Sequence, residues 1–219
     1  SVAGIFAASG QSCVAGSRLY LHDAIADSFL AKMTAIANSI RIGDPQAEDT
    51  QMGPLCTPAQ IDHIETQVAR AVEQGGRILA GGRRVDGMDG LFFQPTIIEC
   101  PDPSMEIVDT ELFGPVLAVL RFSDEDDVIA QANRSVHGLA AGLFTRDSAR
   151  SMRVARRLRA GIVWVNTYRV ISPIAEFGGS KQSGYGRESG MQAVYDYTRP
   201  KTVWMNLSDD PVANPFEPR

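Results

Sequence analysis

Histidine, cysteine and tryptophan are scarce in this sequence. Three histidines (His22, His63, His137), three cysteines (Cys13, Cys56, Cys100) and two tryptophans are spread through 219 residues. No two histidines stand at the i, i+4 spacing of a helical metal pair, and no C-x-x-C occurs. The expected metal content is therefore none. An odd number of widely spaced cysteines does not make a disulfide framework; it fits a reducing compartment and an expected cytoplasmic location. Basic charge is not in excess: the net charge is −5 and the pI is near 5.2, which argues against nucleic acid or an anionic membrane as partner. No apolar run is long enough to span a bilayer. The opening "SVAGIFAASG" lacks the basic flank of a signal peptide and an initiator methionine. It reads as the middle of an element, as expected of a portion of a longer chain. Internal repeats and low-complexity blocks are also missing.

What is present is an alternation of short branched runs with amphipathic stretches. "RLYLH" (18–22), "RILAGG" (77–82), "TIIEC" (96–100), "VLAVLRF" (116–122), "LAAGLFT" (139–145) and "GIVWVN" (161–166) read as strands or strand-turn units. Between them lie expected helices over 23–40, with Asp23 at its cap, over 57–76, with Thr57 at its cap and Gly75-Gly76 at its end, over 123–135, and over 146–159. Strands alternating with helices predict an α/β fold with a largely parallel sheet and flanking helices. A last strand is expected at 201–207, followed by a proline-rich, extended tail. The expected organisation is a thiol-bearing domain over 1–193 and an oligomerisation strand with tail over 194–219.

Four stretches have chemical content. In "ASGQSCVAGSR" (8–18), Cys13 sits among small residues, which give a planar carbonyl clearance to reach the sulfur. A lone cysteine is more often a small buried apolar residue. In "TELFGPVL" (110–117), Glu111 and Phe113 precede a strand, where a carboxylate can accept from a sugar diol and an aromatic can cover a heterocycle; on these eight residues alone a solvated acid in a turn is the simpler reading. "FGGSKQSGYGRESG" (177–190) resembles a phosphate loop but fails the test. Its glycines run G-x-G-x-x-x-G from Gly184, and no G-x-x-x-x-G-K-[ST] occurs. It reads as a tight loop, with Lys181 and Arg187 as structural ion-pair partners. "RVARRLR" (153–159) reads as a solvated basic face.

Taken in order, "GQSCVAGSR", "ELFGPV", "HGLAAGLFTRD", "GIVWVN" and "FGGSKQSGYGRESG" resemble the NAD(P)-dependent aldehyde dehydrogenase superfamily, with a likeness running from residue 1 to about residue 207. The resemblance implies that Cys13 is the nucleophile toward an aldehyde. It implies that Glu111 holds the ribose hydroxyls of NAD or NADP, that Phe113 lies beside the nicotinamide, and that Gln60 touches the same ribose. Val14, Ile171 and Phe177 fall on positions lining the substrate tunnel, and Arg169, in the unusual "NTYR" (166–169), falls near its mouth. The strand at 201–207 falls on the family's oligomerisation strand, which implies a homo-oligomer. The family's general-base glutamate, its oxyanion asparagine and most of its cofactor domain come before the nucleophile loop, so this chain alone is expected to be inactive as a dehydrogenase. Glu176 stands where many members have proline. A cysteine-dependent ester hydrolase and a non-catalytic oligomerising domain are the alternative readings.

Overall fold

The structure, a computed structural model, describes residues 1–210, 215 and 216. Strands β1 (Arg18–His22), β2 (Arg77–Ala80), β3 (Thr96–Glu99), β4 (Val116–Phe122), β5 (Ala140–Leu143) and β6 (Ile162–Val165) alternate with helices α1 (Val2–Phe6), α2 (Asp23–Ser39), α3 (Pro58–Glu73), α4 (Glu106–Asp109), α5 (Glu125–Arg134), α6 (Ser148–Arg157) and α7 (Gly190–Asp196). Four strands form one sheet in the order β1-β4-β3-β2, and β5 pairs with β6 in a second. β1, β3 and β4 run parallel, as do β5 and β6; only β2 is antiparallel to its neighbour. The largely parallel α/β expectation holds, with the sheet in two pieces.

Successive side chains of a strand point to opposite faces, and β3 and β4 use both. Ile97, Leu117 and Val119 pack under α1 and α2 against Ile5, Phe6, Leu30 and Met33. Ile98, Val116, Ala118 and Leu120 pack on the other side against Ile61, Ile64, Val68 and Ala71 of α3. The strands read as near-continuous apolar runs because both faces are covered. Thr57 caps α3 as expected, its hydroxyl accepting from the Gln60 N–H, with Pro58 in the first turn. At α2 the cap is His22, whose Nδ1 accepts from the Ala24 N–H, and Asp23 is the first helical residue. The basic face of α6 is neutralised by the acidic first turn of α5: Arg150 and Arg153 reach Glu125, and Arg157 reaches Asp126.

Two parts differ from expectation. Residues 201–207 form no strand within the described chain, and Val203, Trp204, Met205 and Leu207 are exposed. A strand requires a neighbour for its N–H and C=O groups, and none lies beside this stretch. The glycine-rich stretch ends in α7, which crosses residue 193. The proline-rich tail falls partly outside the described residues.

Two outcomes follow from this core. Ile64 is wholly buried and its Cδ1 abuts Gly114, so Ile64→Ala should lower unfolding stability by about 2–5 kcal/mol, read by urea denaturation. Cys100 is buried on the α3 side, and burial pushes its thiol from 9.0 to about 11. Native protein at pH 8 should therefore alkylate at Cys13 and Cys56, which are exposed, and at Cys100 only after denaturation, as peptide mapping will report. The unfolded thiol ionises first, so this group's contribution to stability should decline as pH rises from 9.0 toward about 11.

Candidate active site

The thiol loop follows α1 through three consecutive left-handed residues: Ala8 (φ 53°), Ser9 (φ 55°) and Gly10 (φ 73°). Such backbone costs about 1–3 kcal/mol at each non-glycine residue and persists where surroundings over-determine it. The surroundings here are specific. A Cβ on Gly10 would lie 2.0 Å from the Gly114 carbonyl oxygen. The Ser9 hydroxyl donates to the Gly53 carbonyl at 2.8 Å. The Gln11 side chain accepts from the Cys56 N–H at 2.9 Å and donates to the Pro54 carbonyl at 3.5 Å.

Cys13 then sits in a turn closed by the Ala15 N–H on the Ser12 carbonyl. Its side chain is exposed and the neighbouring Val14 is buried. The Cys13 and Val14 N–H groups find no acceptor among the described residues. An exposed sulfur beside free amide hydrogens is an arrangement that can add to a carbonyl and hold the resulting oxyanion.

The "ELFGPV" stretch forms one wall. Leu112 is buried; Glu111 and Phe113 on either side of it are exposed, Phe113 by 41%. Phe113 is itself left-handed, at φ 48°. The Gln60 side-chain amide donates to the carbonyls of Leu112 and Phe113. Gln60 therefore has its amide nitrogen engaged on the loop backbone, and among the described residues its side-chain oxygen has no partner.

"NTYR" forms the opposite wall, held by Tyr168. Its ring fills space that Cβ atoms would need at Gly4 and Gly142, at 3.3 and 2.7 Å, and its hydroxyl does so at Gly16, at 3.3 Å; the ring packs edge-on to Trp164 with centroids 4.8 Å apart. Its hydroxyl donates to the Val14 carbonyl at 3.0 Å. Burial raises the Tyr168 pKa, opposed by the Arg169 charge. Arg169, left-handed at φ 64°, reaches the Ser12 hydroxyl at 3.3 Å and the Ala3 carbonyl at 3.4 Å. Tyr168 was not among the expected site residues; its partners lie up to 164 positions away in the chain, and no local spacing announces them.

Among the described residues, Ile171 and Phe177 stay outside this hydrogen-bonded frame. Ile171 is exposed. Phe177 is half-buried and pairs its backbone with Glu188, 2.7 Å in both directions. Among the described residues, neither Lys181 nor Arg187 pairs with an acid. Lys181 donates to the carbonyls of Asn133 and Ser135 at 2.8 and 2.9 Å, and Arg187 to those of Gly179 and Gly186 at 2.7 and 2.8 Å. Burial, then repulsion from Arg159 and Arg18, lowers the Lys181 pKa.

Residues 1–203 match the sequence profile of the Aldehyde dehydrogenase family. The (Z)-2-((N-methylformamido)methylene)-5-hydroxybutyrolactone dehydrogenase of Acinetobacter baylyi is 49% identical over 98% of this chain and 44% of its own length. A betaine aldehyde dehydrogenase of Cereibacter sphaeroides is 41% identical over 97% of the chain and 44% of its own length. Among solved structures, a putative aldehyde dehydrogenase from Burkholderia cenocepacia superposes with a TM-score of 0.93 at 43% identity, over 98% of this chain and 44% of that one. An NAD+ complex of aldehyde dehydrogenase from Bacillus cereus superposes with a TM-score of 0.91 at 38% identity, over 94% of this chain and 42% of that one. The chain thus spans less than half the length of the relatives it matches. A match running to residue 203, and relatives aligned along nearly the whole chain, place it in one group: the chain belongs to the aldehyde dehydrogenase family.

Proposed function

We propose that this chain is the thiol-bearing portion of an NAD(P)-dependent enzyme that oxidises an aldehyde to a carboxylic acid. One observation carries the reading: Cys13 is exposed on a loop whose backbone is clasped by both flanking walls. In this reading the Cys13 thiolate adds to the aldehyde carbon, giving a thiohemiacetal. After oxidation the same sulfur holds the acyl group as a thioester, which water hydrolyses to the acid. The substrate oxygen is negative in both tetrahedral states, so the Cys13 and Val14 N–H groups serve twice. Val14, Ile171, Phe177 and Arg169 border the path by which the aldehyde enters.

The residues present suit the nicotinamide half of a dinucleotide. Phe113 offers an exposed ring face, and Glu111 an exposed carboxylate that can accept from a diol. Gln60 steadies the carbonyls between them. When bound, the cofactor supplies the hydride acceptor. The general-base glutamate and the rest of the cofactor site belong to the additional length of the relatives. In this reading 1–193 is the thiol-bearing domain. Residues 194–219 join a second copy, which covers Trp204 and its apolar neighbours.

The missing base sets the first test. With an activated acetyl ester, Cys13 should acylate and the thioester should persist, seen as an added acetyl mass on the peptide carrying Cys13 and lost in Cys13→Ser. Acylation confined to Cys56 would defeat the proposal. Rapid ester turnover would favour the hydrolase alternative, and NADH formation with aldehyde and NAD at ordinary dehydrogenase rates would defeat the incomplete-site reading. For the tail, Trp204→Asp should shift sedimentation toward the monomer at micromolar concentration; an unchanged profile removes 201–207 from any interface.

A further inference from the structure

We infer that Arg169 is a carboxylate-recognition residue, and that the aldehyde taken by this site carries a carboxylate a few bonds from its carbonyl. The inference rests on the Cys13 reading above and adds the substrate class.

The position of Arg169 is imposed. It follows Asn166, left-handed at φ 55°, whose side chain bonds the Thr145 N–H and carbonyl at 2.9 Å each. It follows Tyr168, wedged among three glycines. Arg169 is itself left-handed, a conformation that for a long side chain persists where neighbours dictate it. Trp164 secures the next residue from behind, donating to the Val170 carbonyl at 2.9 Å. The loop is therefore fixed, and it delivers a guanidinium to the residue beside the nucleophile.

What the guanidinium does there is incomplete. A guanidinium has five N–H donors. Arg169 uses two, on neutral oxygens, at 3.3 and 3.4 Å, beyond the usual range for strong N–H···O bonds. No carboxylate pairs with it among the described residues. Arg169 is half-buried, where an unpaired charge is more costly than in open water. A structural role would be served by an acid partner or by a neutral donor. An unneutralised fork facing the nucleophile loop suits an anion that arrives with the substrate.

The geometry also selects among anions. A carboxylate matches the guanidinium fork in a planar, bidentate pair. Ser12, which Arg169 touches, and Cys13, which attacks, are consecutive, and consecutive Cα atoms are about 3.8 Å apart. The carboxylate and the reacting carbon must then be close in the molecule. An aldehyde acid of short chain meets that condition; a neutral aldehyde leaves the guanidinium as it is.

The test needs neither cofactor nor base. Iodoacetate and iodoacetamide are isosteric, and both alkylate a thiolate by displacing iodide; one is anionic and the other neutral. Their rates at Cys13 are followed in the same digest as those at Cys56, an exposed thiol that serves as internal reference. Any effect of Arg169 on thiolate population changes both rates alike and cancels in their ratio. The iodoacetate-to-iodoacetamide ratio at Cys13 should fall by about five-fold in Arg169→Gln, the size of one close charge pair in water, and should be largely kept in Arg169→Lys. The ratio at Cys56 should stay constant. An unchanged Cys13 ratio in Arg169→Gln overturns the assignment. So does an equal fall in Arg169→Lys, which would mark lost packing, or a parallel fall at Cys56. If Cys13 reacts with neither reagent in the parent protein, the nucleophile reading itself fails and takes this one with it.

Discussion

Gly10 has no side chain because the carbonyl oxygen of Gly114 occupies the place where one would begin, 2.0 Å from the missing Cβ. That backbone-to-backbone contact sets the spacing between the thiol loop and the wall carrying Glu111 and Phe113. The left-handed run from Ala8 to Gly10 turns the chain so that the contact is possible, and the bonds from Ser9 and Gln11 to residues 53–56 hold the turn. Gly114 in turn lies on Ile64, so the seam is anchored in the α3 core. A larger residue on either side of the seam pushes the thiol loop away from the Gly114 backbone.

Tyr168 acts at the joint between the two sheets. It follows β6, covers Gly142 of β5, and meets Gly4 of α1 and Gly16 ahead of β1. Its hydroxyl ends on the carbonyl of Val14, one residue from Cys13. The pair β5-β6 has no ladder to the four-stranded sheet, so side chains of this kind carry the connection. Lys181 does similar work farther away, tying the glycine-rich loop to the carbonyls at the end of α5. Arg169 inherits its position from the same joint.

The strands and long helices were legible because their signals are local. Apolar runs of β3 and β4, the Thr57-Pro58 start of α3 and the acidic first turn of α5 need only near neighbours to form. Cys13, Glu111, Phe113 and Gln60 were singled out through order and motif; the fold sets Gly10, three residues before Cys13, against Gly114, and bonds Gln60 to the Leu112 and Phe113 carbonyls. Three things were not legible. The four-residue helix α4 has too few turns to show a periodicity. The burial of Tyr168 depends on three glycines scattered over 139 positions. Residues 201–207 have a strand-like composition, yet composition cannot supply the neighbouring strand whose backbone would complete them.

The two tryptophans occupy opposite environments. Trp164 is 6% exposed, packed on Tyr168 and bonded to the carbonyl of Val170, whereas Trp204 is 93% exposed. Indole emission moves to shorter wavelength as water is withdrawn, so the protein carries two optical reporters of distinct colour. The redder one reports the surroundings of residues 201–207. The bluer one sits behind the arginine loop and registers a disturbance there without any added label.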